Sequence, residues 1–492
     1  MQSTKMTEGS LTQSIMVPDA GRVKDERVVI RFGTSGWRAV IAEEFTFANV
    51  RRVAAAIAQH LVQTGDARKG VFVGYDTRFL SDRFAREAAD VLAGRGVPVA
   101  LSPTPIPTPA VAFAIVRGRR AGGITVTASH NPPEYNGLKF STADGAPALP
   151  ETTRVIEALV GEGAAAGPPG ATGATAGVRP LDMRDAYFRQ IARLVRLQSI
   201  RKARIKIGCD PRYGASIGYL DVLLRKAARS VETIHDRPHP LFGGTGPDCG
   251  EAELQPLGRL VRARRLHLGL ATDGDGDRFG IIDRGGVFIP PNLFLPVLAD
   301  YLLTSRRVRG GIGRSIATTH LLDAVCAFHG RPIYETPVGF KFLGEHLTSG
   351  RAFLVCEESA GLSLHGHVPE KDGILAALLA AEMVAVRGSS IREQARDLFR
   401  RVGALYNRRI DYHIDAAARD RLARRLEDVP SAFAGRKVTR LDTTDGRKMI
   451  FQDGSWILLR PSGTEPVVRC YAEARSRNDL EKLLAAARDL VQ

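Results

Sequence analysis

One pattern, met three times, constrains the fold more than anything else in this chain. KGVFVGYDTRFLSDRFAREAADVLAGRGVPVAL (69–101), RIKIGCDPRYGASIGYLDVLLRKAARSVETIHD (204–236) and RGGIGRSIATTHLLDAVCAFHGRPIYET (309–336) share one layout. Each reads as an apolar β-rich run, a turn with glycine or polar residues, an amphipathic helical stretch and a second short strand. Three βαβ-like units at long intervals imply three α/β domains of one kind with mixed sheets. The likeness is one of pattern rather than identity. A length of 492 residues sets the same scale, three or four domains.

The stretches between the units suggest where domains end. GEGAAAGPPGATGATAGV (161–178) carries no charge after Glu162 and has the composition of a linker. Beyond about residue 405 the character changes to a polar helix (AAARDRLARRLEDV), short strands (RKVTRLD, RKMIFQ, SWILLR, VVRCYAEA) and a final helix (NDLEKLLAAARDLV). That order predicts a smaller α+β domain with an antiparallel sheet. The expected division is a polar, disordered extension at 1–27, α/β domains at 28–160, 179–290 and 291–404, and the α+β domain at 405–492.

Composition enters as a filter. Hydrophobic residues make up 44% and charged residues 25%, the balance of a soluble globular protein. No apolar run reaches membrane-spanning length, and the N-terminal stretch has no signal-peptide core. The five cysteines (209, 249, 326, 356 and 470) are scattered without C-x-x-C spacing, which fits a reducing cytoplasm and neither a zinc site nor a disulfide framework. The formal charge of +16 raises nucleic-acid binding. Its arginines are dispersed and no basic stripe alternates with aromatics, so an anionic small substrate is the preferred reading.

The strongest chemical signal is ATDGDGDRFG (271–280), placed at the end of the apolar run LHLGLA. Asp273, Asp275 and Asp277 alternate with glycines that let the carboxylates turn to one side. Such crowding is repulsive without a cation, and oxygen ligands alone imply a hard ion, Mg²⁺ or Ca²⁺. An EF-hand fails because Arg278 stands at its sixth position and Arg284 at its twelfth. A dinucleotide fingerprint fails on glycine spacing and charge. Mg²⁺ completes its shell with water and phosphate oxygens, so the loop asks for a phosphate.

LRPSGTEPVVR (459–469) supplies a cradle for one: Arg460, Ser462, Gly463 and Thr464 at a strand end and Arg469 on the next strand. It is no nucleoside-triphosphate P-loop. In VCEESAGLSLHGHVPEKDGIL (355–375), Glu357 and Ser359 suit sugar hydroxyls, Lys371 and Asp372 precede an apolar helix that Asp372 could cap, and His365 and His367 lack a third metal ligand nearby. FGTSGWRAVI (32–41) is a glycine-rich turn with an aromatic plug and Arg38. In TVTASHNPPEYNGLKF (125–140) a β-branched run stops at Ser129 and His130, before two prolines that end a strand. The loop that follows is expected to be rigid and to hold Ser129, His130 and Lys139 close together; such turn residues also build purely structural loops.

Taken together and in order, GTSGWR, TASHNPPEYNGLKF, DGDGDR, EES and RPSGTEPVVR make the chain resemble the α-D-phosphohexomutase superfamily, from about residue 30 to the end. The resemblance implies three related α/β domains and a TATA-binding-like fourth around a central cleft. It implies that Ser129 carries the transferred phosphate and joins Asp273, Asp275 and Asp277 around Mg²⁺, with Arg278 stabilising the moving charge. It implies that Arg460, Ser462, Gly463, Thr464 and Arg469 hold the non-reacting phosphate, that Glu357 and Ser359 read the 3- and 4-hydroxyls, and that Arg38 and Lys371 line the cleft. Lys139 and then His130 are the general-base candidates; a lysine in that role needs a lowered pKa, which nearby cations would supply.

The expected reaction interconverts hexose 1-phosphate and hexose 6-phosphate through phosphoserine and a hexose 1,6-bisphosphate, which also serves as activator. The partner is a sugar phosphate, not nucleic acid or membrane, and the protein is a cytoplasmic monomer or homodimer. Ala360-Gly361-Leu362 after Ser359 departs from the E-x-S-G-H loop of many bacterial relatives. With TPVGFK and EKDG, this favours glucose, then mannose or dual specificity, with glucosamine further off. A phosphatase is the nearest rival activity; a second phosphate cradle argues against it.

Overall fold

The computed structural model describes residues 29–33, 36–161, 177–415, 421–422, 424, 431–461 and 467–491. The N-terminal extension, most of the glycine–alanine linker, most of the polar helix expected after residue 415, and Ser462, Gly463 and Thr464 lie outside the described residues.

All three repeated segments form the expected crossover. The first sheet contains β1 (Trp37–Val40), β2 (Val71–Tyr75), β3 (Val99–Leu101), β4 (Gly122–Val126), β5 (Tyr135–Thr142) and β6 (Val178–Pro180), in the order β1-β5-β4-β2-β3-β6. The second contains β7 (Lys206–Asp210), β8 (Ser230–Thr233), β9 (Leu268–Thr272), β10 (Phe279–Asp283) and β11 (Val287–Phe288), in the order β11-β10-β9-β7-β8. The third contains β12 (Gly311–Ser315), β13 (Ile333–Thr336), β14 (Ala352–Glu357) and β15 (Gly361–Leu364), in the order β13-β12-β14-β15. A boundary at residue 179 would cut β6, which runs parallel to β3 and completes the first sheet.

The three sheets repeat one connection. A central strand (β2, β7 or β12) is flanked by two parallel partners, and the second of these (β4, β9 or β14) turns back into an antiparallel strand. Central strands such as VFVGY and KIGCD are buried almost throughout, as expected where helices cover both faces. The hairpin turns 127–134, 273–278 and 358–360 therefore occupy the same topological position in three units. They contain Ser129, the aspartate triad and Ser359, respectively.

The fourth sheet is antiparallel, as expected, in the order β16-β21-β20-β19-β18-β17. Its strands are β16 (Tyr406–His413), β17 (Ala432–Phe433), β18 (Arg436–Asp442), β19 (Arg447–Phe451), β20 (Trp456–Pro461) and β21 (Val467–Ala474). β16 has no clear apolar alternation, and pairing with β21 along its whole length is what makes it a strand.

One buried cluster runs from Phe72 and Ile106 through Ile207, Leu270 and Phe294 to Leu354 and the helix Gly373–Arg387 and ties the three α/β units together, while the first unit has a further core of its own around Val53, Phe84, Ile124 and Leu138. The fourth unit has its own, formed by Ile457, Leu459, Val468 and the C-terminal helix residues Leu480, Leu483 and Leu484. A small apolar seam of Ile316, Ala317, Trp456, Leu458 and Tyr471 joins the two bodies. Among the described residues no single helix is long and apolar enough to cross a membrane.

Candidate active site

The three equivalent hairpin turns converge. Ser129 follows β4 in the left-handed region, φ 51°, and is 2% exposed. Its hydroxyl donates to Asp273 Oδ2 at 2.9 Å, which joins the first unit to the second. His130 Nδ1 stands 3.4 Å from the same hydroxyl. Lys139 is not on the loop with them, as the sequence suggested. It lies on β5, opposite Thr125, and reaches the site from the strand.

Asp273, Asp275 and Asp277 leave β9 in one turn and are all buried, with one carboxylate oxygen of each within 4.8 Å of the others. Gly276, at φ 74°, makes the turn that brings them together. Protein groups hold both oxygens of Asp273 and one oxygen each of Asp275 and Asp277. Asp273 Oδ1 accepts from Arg278 N at 3.0 Å. Asp275 Oδ2 accepts from Thr108 Oγ1 and Lys139 Nζ, both at 2.6 Å. Asp277 Oδ2 lies 3.0 Å from Lys371 Nζ and 3.3 Å from Lys139 Nζ. The remaining oxygens Asp275 Oδ1 and Asp277 Oδ1 are buried without a hydrogen-bond partner among the described residues. Two orphaned carboxylate oxygens, in the turn whose Asp273 receives the Ser129 hydroxyl, fit a hard divalent cation that keeps further positions for other oxygen ligands.

The electrostatics follow from burial and crowding. Burial, then Asp275 and Asp277, push Asp273 well above the usual carboxylate range. Burial would raise Asp277 too, but Lys371 and Lys139 outweigh it and hold it low. The cationic surroundings expected to lower Lys139 are outweighed. Burial lowers it, Asp275 and Asp277 overcome that, and its pKa is raised, so the ammonium serves the carboxylates as a counter-charge. His130 is lowered well below its ordinary value by burial and by Arg278 and Arg38, which keeps it neutral.

The third unit closes another side. Glu357 is the last residue of β14, not a loop residue, and accepts from Gly339 N at 2.8 Å. Burial and then Glu358 raise it to about 7. Ser359 stands in the turn that follows, half-buried. Asp372 caps the helix Gly373–Arg387 by accepting from Leu375 N at 2.8 Å. A Cβ at Gly373 would lie 2.1 Å from Arg278 O, so this helix starts in direct contact with the aspartate turn. His365 and His367 do not face a common ion: His365 Nδ1 contacts Leu347 O at 2.9 Å and His367 Nε2 contacts Asp372 at 2.8 Å.

Arg38 on β1 reaches Asn131 Oδ1 at 2.7 Å, and Trp37 plugs the core against Phe45, ring centroids 4.8 Å apart. Arg278 lies 3.9 Å from Asp248. In the fourth unit β20 runs on to Pro461, two residues past the expected end at Leu459. Arg460 and Arg469 are cross-strand neighbours there, and Arg460 Nε donates to Asp445 at 2.8 Å. Three contributors escaped the sequence reading: Thr108, which also donates its backbone N–H to Asp275 O at 2.9 Å, Asp248, and the pair Asp76 and Arg78. A signal for the last was present, because G-Y-D-T-R-F and G-C-D-P-R-Y stand at matching places in the first two repeats.

Comparison with known proteins agrees with this geometry. Residues 29–166, 185–286 and 290–402 match the families described as phosphoglucomutase/phosphomannomutase, alpha/beta/alpha domains I, II and III, and 416–490 match the C-terminal domain of the same description. The chain belongs to the phosphoglucomutase/phosphomannomutase family. As a phosphohexomutase it is an intramolecular phosphotransferase. It is 30% identical to a phosphoglucomutase/phosphomannomutase of Thermococcus kodakarensis, covering 92% of this chain and 96% of that one. It is 31% identical to a protein of Methanothermobacter thermautotrophicus named as a probable phosphoglucosamine mutase, over 90% and 94%. A crystal structure from Thermus thermophilus, of a protein assigned provisionally as a phosphomannomutase, superposes with TM-score 0.82 at 37% identity, over 94% and 99%. These relatives differ in the sugar they are named for, so the family is fixed and the hexose is not.

Proposed function

We propose that this phosphohexomutase interconverts glucose 1-phosphate and glucose 6-phosphate through a phosphate carried on Ser129. The observation that carries the reading is the buried Ser129 hydroxyl, 2.9 Å from Asp273, in an aspartate turn where Asp275 and Asp277 each keep one oxygen without a hydrogen-bond partner among the described residues. The three aspartates and Ser129 would hold Mg²⁺, which when bound supplies charge neutralisation to the phosphoryl oxygens. Ser129 gives its phosphoryl to the free hydroxyl of the bound hexose monophosphate, and the 1,6-bisphosphate reorients and returns the other phosphoryl to Ser129. Arg278 neutralises charge on the transferring group, and Arg38 and Lys371 contact phosphate. Glu357 and Ser359 accept and donate to the 3- and 4-hydroxyls. Arg460 and Arg469, with Ser462, Gly463 and Thr464, hold the phosphate that is not reacting. His130, kept neutral and with Nδ1 3.4 Å from the Ser129 hydroxyl, takes the base role ahead of Lys139.

Glucose is preferred because the loop after Ser359 reads Ala360-Gly361-Leu362 in place of the histidine-bearing form. The five cysteines, all buried free thiols, fit a cytoplasmic setting. A monomer or homodimer suffices, since one chain supplies every group named.

The test is ³¹P NMR of the purified protein with Mg²⁺ and a trace of glucose 1,6-bisphosphate. Separate tubes hold glucose, mannose and glucosamine 1-phosphates. Fastest conversion of the glucose ester to its 6-phosphate supports the reading. Faster conversion of another ester moves the assignment to that sugar. Release of inorganic phosphate alone makes the protein a phosphatase.

A further inference from the structure

Ser129 is held by its backbone as well as by its hydroxyl. Its N–H donates to Thr127 Oγ1 at 2.8 Å. Thr127 Oγ1 donates in turn to Asp76 Oδ2 at 2.6 Å. Asp76 Oδ2 lies 3.2 Å from Arg78 Nε, with both side chains fully buried. Arg78 Nη2 closes the circuit by donating to Ser129 O at 2.7 Å. The same guanidinium donates to Asn131 O at 2.6 Å, Pro132 O at 2.7 Å and Tyr135 O at 2.9 Å. One planar fork therefore fastens three carbonyls of the turn and that of Tyr135, the first residue of β5.

We propose that the ring Asp76–Arg78–Thr127 is the positioning device of the reacting serine. It fixes Ser129 in its left-handed conformation and so aims the hydroxyl at the aspartate triad. The inference rests on the phosphoserine reading above. Three observations support it. A non-glycine residue at positive φ persists only where its surroundings over-determine it, and here both backbone polar groups of Ser129 are inside the ring. The ring is also referenced to the domain that carries the triad: Thr77 Oγ1 donates to Tyr213 O at 2.8 Å, and the Arg78 guanidinium lies over the Phe242 ring at 5.1 Å. The device is used twice. Arg212, also two residues after an aspartate whose Oδ1 accepts its N–H at 2.9 Å, fastens Asp248 O and Glu253 O, both at 3.1 Å, in the turn that brings Asp248 to Arg278. Arg78 N donates to Asp76 Oδ1 at the same 2.9 Å.

Arg78→Lys keeps the charge and loses the fork, and Thr127→Val keeps the shape and opens the ring on the opposite side. The experiment compares both with the wild-type holoenzyme, with folded fraction matched by circular dichroism. It measures kcat and KM for glucose 1-phosphate, Mg²⁺ affinity by calorimetry, and amide exchange of residues 128–131. A misplacement on the order of 1 Å costs about 100-fold. The expected result is therefore a kcat per folded molecule lowered at least about tenfold, KM and Mg²⁺ affinity changed less than about threefold, and amide exchange across 128–131 faster by at least about tenfold. A Thr127→Val enzyme with wild-type kcat and wild-type exchange overturns the proposal, even where Arg78→Lys does not fold. The exchange readout needs no turnover. A wild-type protein that turns over no sugar phosphate sinks the phosphoserine reading, while unchanged exchange in the variants sinks the ring.

Discussion

At the scale of single residues, the site is a balance of buried charges. Ser129→Ala is expected to abolish conversion in the ³¹P assay, a fall of about 1,000-fold or more, because the proposed phosphate carrier is gone while the Asp273 carboxylate stays in place. Undiminished turnover in that variant would remove Ser129 from the reaction. Glu357 gives a pH test. Burial and Glu358 raise it to about 7, so it is largely protonated below that pH and becomes a full acceptor for sugar hydroxyls above it. KM for the hexose phosphate should accordingly fall as pH rises from 6 to 8, and in Glu357→Gln that dependence should be lost. The aspartate triad was legible because its three residues are neighbours in sequence and no apolar strand end needs them. Arg78 was not, because it acts on Ser129 from 51 positions away, and Thr108 lies 167 positions from Asp275.

At the scale of elements, the helix Gly373–Arg387 shows how a structural segment sets the site. It packs on β9 and β10, its apolar length is buried, and its first residue touches the aspartate turn. Gly373→Ala would force a Cβ to within 2.1 Å of Arg278 O. Lower Mg²⁺ affinity by about tenfold is expected from calorimetry, with thermal stability reduced by a few degrees. The sequence showed this helix and its Asp372 cap plainly, through an apolar run after a capping residue. It could not show that the helix leans on the aspartate turn of another domain.

Asp300, on the helix Pro291–Tyr301, is the anchor of a second element-level network. It receives His329 Nε2 at 2.9 Å, Arg387 Nη2 at 2.8 Å and Arg401 at 2.9 Å, and despite burial these donors lower its pKa to about 2. A lowered carboxylate stabilises the fold above its unfolded pKa and loses that contribution as pH falls through the folded one. Asp300→Asn should therefore cost about 3 kcal/mol in urea unfolding at pH 7, and the gap to wild type should narrow between pH 4 and 2. A gap independent of pH would refute this account.

At the scale of the molecule, one buried cluster ties the three α/β units together, and the first and fourth units each have a further core of their own. The three crossovers were legible because hydrophobic period and turn chemistry are local. The shared core and the common placement of the three hairpin turns were not, since they depend on how separate sheets pack. The seam to the fourth unit is small and turns on Trp456, which packs with Ile316 and Ala317 and donates Nε1 to the buried Glu473 at 2.9 Å. Glu473 also accepts from His320 N at 2.9 Å and from Thr319 Oγ1. Trp456→Ala should loosen the proposed phosphate cradle without touching the triad. The expected signature is a KM raised about tenfold with Mg²⁺ affinity unchanged, and equal losses in both would contradict it.

That division between bodies has a mechanical meaning for the proposed reaction, whose intermediate would swap ends. A bisphosphate that is to be turned around and kept needs one bearing that never shifts and one that gives. Ser129 and the aspartates stand on the three α/β units, which the Ser129–Asp273 hydrogen bond and one shared buried cluster tie together, and Arg460 and Arg469 on the unit joined to them through a small apolar seam. Under the proposed reaction the tolerance would be tight at the bond-making end and looser at the gripping end, so that the grip would open for the half-turn without the alignment for the next transfer being rebuilt.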